Sequence, residues 1–170
     1  MKKITQSAVL LAVGMILPVF TAQIKEIGDT LLPMHIPVML CGFICGTQYG
    51  FVVGLIMPIL RSVMFSMPPL YPNAIWMALE LATYGFVTGI LYKRVKKPKT
   101  GYLYICLMSA MISGRIIWGI AKTVLLGVAG KTFTIHAFIT GGLLDAIPGI
   151  VIQLVLIPII MRVYEHFSKK

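Results

Sequence analysis

Apolar runs cover residues 4–24, 35–46, 49–66, 72–92, 102–126 and 135–162, and only short polar segments separate them. In the hydrocarbon of a bilayer every backbone N–H and C=O must find its partner inside the protein. A run of about 20 apolar residues therefore crosses as a helix. The composition fits, with 58% of the 170 residues hydrophobic and 12% charged; soluble domains are nearer half and a quarter. The expected fold is an all-α integral membrane protein, a compact bundle of six transmembrane helices. Six spans use up the length, so residues 1–170 form a single transmembrane domain.

Charge sets the number of spans. Residues 36–60 also fit one long helix, which would leave five spans. An odd number before residue 93 puts Lys2 and Lys3 opposite the dense cluster Lys93, Arg94, Lys96, Lys97 and Lys99. Splitting the run at Gly46-Thr47-Gln48-Tyr49-Gly50 returns these clusters, with Lys169 and Lys170, to one side. By the positive-inside rule that side is the cytoplasm, and both termini lie there. The net charge of +10 thus reports topology and not nucleic-acid binding. The Met-Lys-Lys start resembles a signal peptide, but no small-x-small cleavage site occurs up to Ile24, so the stretch is expected to stay as the first span. The split makes the second helix about 20 Å long, which requires a place among neighbours or beside a cavity.

Three loops then face outward, at about 25–34 with Lys25, Glu26 and Asp29, at about 62–71 with Pro68 and Pro69, and at about 127–134 with Gly127, Gly130 and Lys131. The proline pair fixes an extended turn and the glycines allow a mobile one. Cys41, Cys45 and Cys106 lie in apolar segments and are expected to be small buried hydrophobes, with no metal site. Small residues four apart, Gly42/Gly46, Gly50/Gly54 and Gly85/Gly89, suit close helix packing; Ala8/Ala12 lies near the cytoplasmic end of helix one, within reach of a partner subunit.

Arg61, Glu80, Arg115, Lys122 and Asp145 lie in or at the edges of these spans. Charge at bilayer depth is costly; it is paired, faces protein or water, and marks a ligand or ion path. Helix rise places Glu80 about 12 Å, Asp145 about 15 Å and Arg115 about 16 Å from the outer end, with Arg61 and Lys122 nearer the mouth. Three charges at similar depth on three helices can converge on one cavity. The five sum to +1, which suits a monoanionic ligand. The alternative is that Arg115–Asp145 and Arg61–Glu80 are structural pairs between helices, with Lys122 snorkelling to the headgroups. Asn73, Trp76 and Glu80 share a helix face, with Tyr84 one turn on. Trp76 either stacks on a ligand or belongs to the outer aromatic belt. His35, between Pro33 and Pro37, either bonds a ligand or caps a short helix.

Six short helices, cytoplasmic ends, the pair Ala8-Val-Leu-Leu-Ala12, the block from Leu32 through Pro33-Met-His-Ile-Pro37 to Gly46, and Met67-Pro-Pro69 followed by Glu80-Leu-Ala-Thr-Tyr-Gly85 together resemble the S components of energy-coupling factor (ECF) vitamin transporters. The resemblance implies a bacterial plasma-membrane subunit that binds a vitamin near the outer face and works with a transmembrane coupling (T) subunit and two cytoplasmic ATPases. It implies that Ala8 and Ala12 dock on the coupling subunit, that the three outer loops close the pocket, and that the subunit topples in the membrane. The chain itself has no nucleotide-binding motif, so ATP is used by the partners and no cofactor is expected in this chain. Binding is then expected at His35, Arg61, Asn73, Trp76, Glu80, Tyr84, Arg115, Lys122 and Asp145. The branch resembled points to pantothenate; pyridoxine-type vitamins, cobalamin and queuosine precursors stay open. No catalytic residues are expected: His-Glu-x-x-His, Gly-x-Ser-x-Gly and a proteolytic aspartate pair are absent, which weighs against an intramembrane enzyme. A solitary carrier is disfavoured by the lack of an inverted repeat.

Overall fold

Helices follow the apolar runs in a computed structural model that describes residues 2–21, 32–95, 100–130, 132 and 134–168. They are α1 (Lys2–Thr21), α2 (His35–Cys45), α3 (Thr47–Phe65), α4 (Ile75–Lys93), α5 (Thr100–Val128), α6 (Ile135–Ile139) and α7 (Ile147–Ser168). Wide turns at Leu70–Ala74 and Thr140–Leu144 lead into α4 and join α6 to α7. With α6 and α7 taken as one unit the described residues form six helical crossings. Five are long and apolar enough to span a bilayer, and α2 is the short one. The outer loop with Lys25, Glu26 and Asp29, and also Lys96, Lys97, Lys99, Lys131, Lys169 and Lys170, lie outside the described residues.

The break between the second and third helices falls at Gly46, at the start of the stretch where charge balance requires it. Its φ of 99° lies where glycine is at home. The Gly46 N–H bonds back to the Cys41 and Gly42 carbonyls, and its own carbonyl accepts from Gly50 N–H, so one residue ends α2 and starts α3. The short α2 is the centre of the bundle. It packs against α1, α3, α4 and α7, and Val38, Met39 and Cys41 are wholly buried. All three cysteines are buried thiols.

Glycines bring α3 and α4 into backbone contact. A Cβ on Gly50 or Gly85 would overlap the other's backbone, and one on Gly54 would overlap the Leu81 carbonyl. Their absence permits the approach. Larger apolar residues point outward: Ile105, Met108, Ile112, Ile116, Ile120 and Val124 form an exposed stripe on α5, and Val151, Val155, Ile159 and Val163 form one on α7. These stripes recur every three or four residues, as a lipid-facing helix side requires.

The end of the bundle that carries both termini is tied by polar contacts. Gln6 donates to the Tyr164 hydroxyl (3.2 Å), Tyr92 donates to Glu165, Tyr102 donates to the Leu91 carbonyl (2.9 Å) and Arg162 donates to Thr100 (2.9 Å). These bonds carry α7 as a helix to Ser168, beyond the apolar run that ends at residue 162.

The last crossing is not the continuous helix over 135–162 that the apolar run suggests. It opens at Thr140–Leu144, and Asp145 and Ala146 form a turn before α7. Gly141 and Gly142 lie in the opening, and Pro148 just after it has no N–H for the Leu144 carbonyl, so a regular helix cannot run through. The Gly142 backbone also lies close to the Trp118 indole, where a Cβ would sit 3.0 Å from the ring.

Candidate functional site

At the end of the bundle away from the termini, α2, α4 and α5 bring His35, Glu80, Tyr84 and Arg115 together. His35 is the first residue of α2, and its backbone N–H donates to the Leu32 carbonyl (3.1 Å). Glu80 and Tyr84 are four apart on α4, hence on one face. Arg115 reaches them because its neighbour is glycine: a Cβ on Gly114 would lie 2.7 Å from the Tyr84 ring, so α5 can come close enough only without one.

One carboxylate oxygen is the hub. Glu80 Oε1 accepts from the Tyr84 hydroxyl at 3.1 Å, with Arg115 Nη1 at 3.1 Å and His35 Nε2 at 3.5 Å. His35 also meets the Tyr84 ring edge-on, with centroids 5.1 Å apart. Glu80 is 2% exposed and Arg115 8%, so both charges are buried and each needs the other. The donors are not used up. Arg115 Nε and Nη2, and both ring nitrogens of His35, are buried with no hydrogen-bond partner among the described residues. Buried polar groups are as a rule satisfied, so leftover donors on two adjoining side chains mark a place for an acceptor.

An aromatic layer adjoins the hub. Trp118 lies against the Arg115 guanidinium (5.8 Å), and the Lys122 ammonium stands 4.5 Å from the Trp118 ring and 5.3 Å from the Trp76 ring. Phe138 of α6 packs on Trp118, with centroids 5.9 Å apart. Trp76 is 9% exposed, so it lies in the interior of the bundle with these groups. Lys122 is held over indoles, a favourable seat for a cation.

Three residues stand elsewhere than depth along a helix suggests. Arg61 does not pair with Glu80; its Nη1 donates to the Met15 carbonyl on α1 (2.8 Å), and its guanidinium lies over Phe65 (5.4 Å). It joins α3 to α1, near Pro18, where a proline interrupts the helical hydrogen-bond ladder. Asp145 does not pair with Arg115; it is exposed in the turn ahead of α7, because the last crossing is interrupted there. Asn73, half-buried, lies in the wide turn before α4 and not on the regular helix with Trp76 and Glu80. Tyr71, with φ −118° and ψ 132°, breaks the helix there.

One polar residue escapes a search for charges. Gln153 on α7 is 2% exposed, and its Nε2 has no hydrogen-bond partner among the described residues. The available signal is a lone amide in the apolar run of α7. Ala8 and Ala12 are exposed on the outer side of α1. An apolar groove of about 250 Å³ lined by Gln6, Leu10, Ile44 and Tyr164 lies beside them. A larger one of about 430 Å³, between Ile120, Val124 and Phe138, opens on the outer side of α5. Neither groove is lined by Glu80 or Arg115.

The family described as ECF transporter, substrate-specific component, aligns with residues 2–161. No curated protein and no solved structure matches the chain.

Proposed function

Because the chain belongs to the substrate-specific components of ECF transporters, we propose that it captures a small anionic micronutrient at the Glu80–Arg115 end of the bundle, with pantothenate the leading candidate. The family sets the coarse function, substrate-specific micronutrient uptake by a multi-pass membrane subunit that works with T and ATPase subunits. Such a subunit binds and hands over its cargo without changing it, so this chain is not an enzyme and leaves ATP to its partners.

The observation that carries the substrate proposal is the surplus of buried donors. Arg115 and His35 keep unpartnered N–H positions beside a single carboxylate that already accepts from its neighbours. An acceptor-rich anion relieves that surplus, and Trp76, Trp118 and Lys122 supply an apolar and cationic wall beside it. The same end faces away from the termini, so it faces outward in the topology that the basic clusters favour. Docking of the coupling subunit belongs to the other end, on the exposed Ala8 and Ala12, where small residues admit a close helix contact.

Calorimetry of the purified chain against pantothenate, pyridoxine, cobalamin and queuosine precursors tests the cargo. Tight binding of pantothenate is expected. Tight binding of another member, or of none by folded protein, removes pantothenate. In the Arg115→Ala variant binding is expected to fall at least about a hundredfold, the scale of a lost charge-assisted hydrogen bond in a buried site. Unchanged affinity in that variant would move the site away from α5.

A further inference from the structure

We infer that Arg115 is a carboxylate clamp: its Nε–Nη2 edge takes one carboxylate of the bound molecule in a paired hydrogen bond while its Nη1 stays on Glu80. This rests on the proposal that a small molecule is held at this end of the bundle, and it narrows the class of that molecule.

A guanidinium carries its donors in a rigid planar fork. Glu80 Oε1 occupies the Nη1 corner at 3.1 Å. The two nitrogens left without a partner among the described residues, Nε and Nη2, are not scattered around the group. They form its side edge, whose parallel N–H vectors match the two oxygens of a carboxylate. The plane is held in place from two directions, by Glu80 at Nη1 and by Trp118 at 5.8 Å. Glu80 is therefore a positioning residue, which fixes one corner so that the opposite edge is aimed before a ligand arrives. Preorganisation of this kind lowers the ordering cost of binding.

Charge favours a carboxylate over a phosphate. Glu80 already places one negative charge at the Nη1 corner, and a phosphate dianion on the opposite edge brings twice the negative charge of a carboxylate beside it. The clamp thus separates the candidate cargoes by chemistry: pantothenate carries a carboxylate, whereas pyridoxine does not.

The test uses wild-type protein with isotope-labelled arginine, in which Arg61, Arg94, Arg115 and Arg162 are the four arginines. The Arg115 Nε–H resonance, assigned by its loss in Arg115→Lys, is followed during titration with formate, formamide and inorganic phosphate. Formate is expected to shift it saturably and leave Arg61 in place, formamide to leave it unmoved, and phosphate to act only at higher concentration. A silent Arg115 resonance in formate, or a tighter response to phosphate, overturns the clamp. In parallel, pantothenate is compared with panthenol, its alcohol analogue. Wild-type protein is expected to prefer the acid by ten- to a hundredfold, and Arg115→Lys, which keeps the charge and loses the fork, to lose most of that preference. Equal binding of acid and alcohol overturns the clamp but leaves the pantothenate proposal standing. Failure of pantothenate to bind, with formate still shifting Arg115, does the reverse.

Discussion

Glu80 Oε1 accepts from the Tyr84 hydroxyl and pairs with Arg115, with His35 Nε2 3.5 Å away, so its removal strands a buried guanidinium. Breaking one side of a buried pair in this way costs about 3–5 kcal/mol. Glu80→Ala is therefore expected to lower the melting temperature in detergent sharply. Glu80→Gln, which keeps an acceptor for Tyr84 and Arg115, is expected to lose less. Equal melting of Glu80→Ala and wild type would show that the cluster does not hold the helices. Glu80, Arg115 and Lys122 are legible in the sequence as charges in apolar runs. Their partners are not, because pairing depends on how each helix is rotated. Gly114 decides that Arg115 reaches α4, and nothing in a count of residues along α5 says so. Arg61 is legible as an embedded charge too, yet its partner is a backbone carbonyl of α1, which no pattern of side chains can indicate.

At the scale of elements, the glycines between α3 and α4 carry the packing. Gly50→Ala puts a methyl group into the Gly85 carbonyl, and overpacking of this kind costs about 1–3 kcal/mol. A lower melting temperature is expected for Gly50→Ala and for Gly54→Ala. Gly101→Ala, with nothing within 4 Å of the added carbon, serves as the control and is expected to melt as wild type does. If all three melt alike, the α3–α4 contact is looser than the glycines imply. The helices themselves follow from the apolar runs, and the break at Gly46 follows from charge balance across the membrane. The opening in the last crossing does not follow from an apolar count. Gly141, Gly142 and Pro148 interrupt that run, and hydropathy alone passes over them; Gly142 also lies against the Trp118 indole. Asp145 accordingly stands exposed in the turn that follows.

Across the whole molecule the two ends are unlike. One carries the termini and neutral or peripheral polar ties, and the other carries the buried ions. Six crossings return the chain to its starting side, so single cysteines at Lys3 and Phe167 are expected to react with an impermeant maleimide from the same face of sealed vesicles. Reaction from opposite faces would remove one crossing, and α2 is the one at risk. Its 11 residues span about 16 Å, against about 30 Å of hydrocarbon. A nascent chain released after α2 has no stable depth to occupy. The segment that bears His35 waits for α3 and α4 to be synthesised before it can settle. Glycosylation mapping of nascent chains truncated after α3 and after α4 should accordingly find mixed orientation in the shorter product and one orientation in the longer.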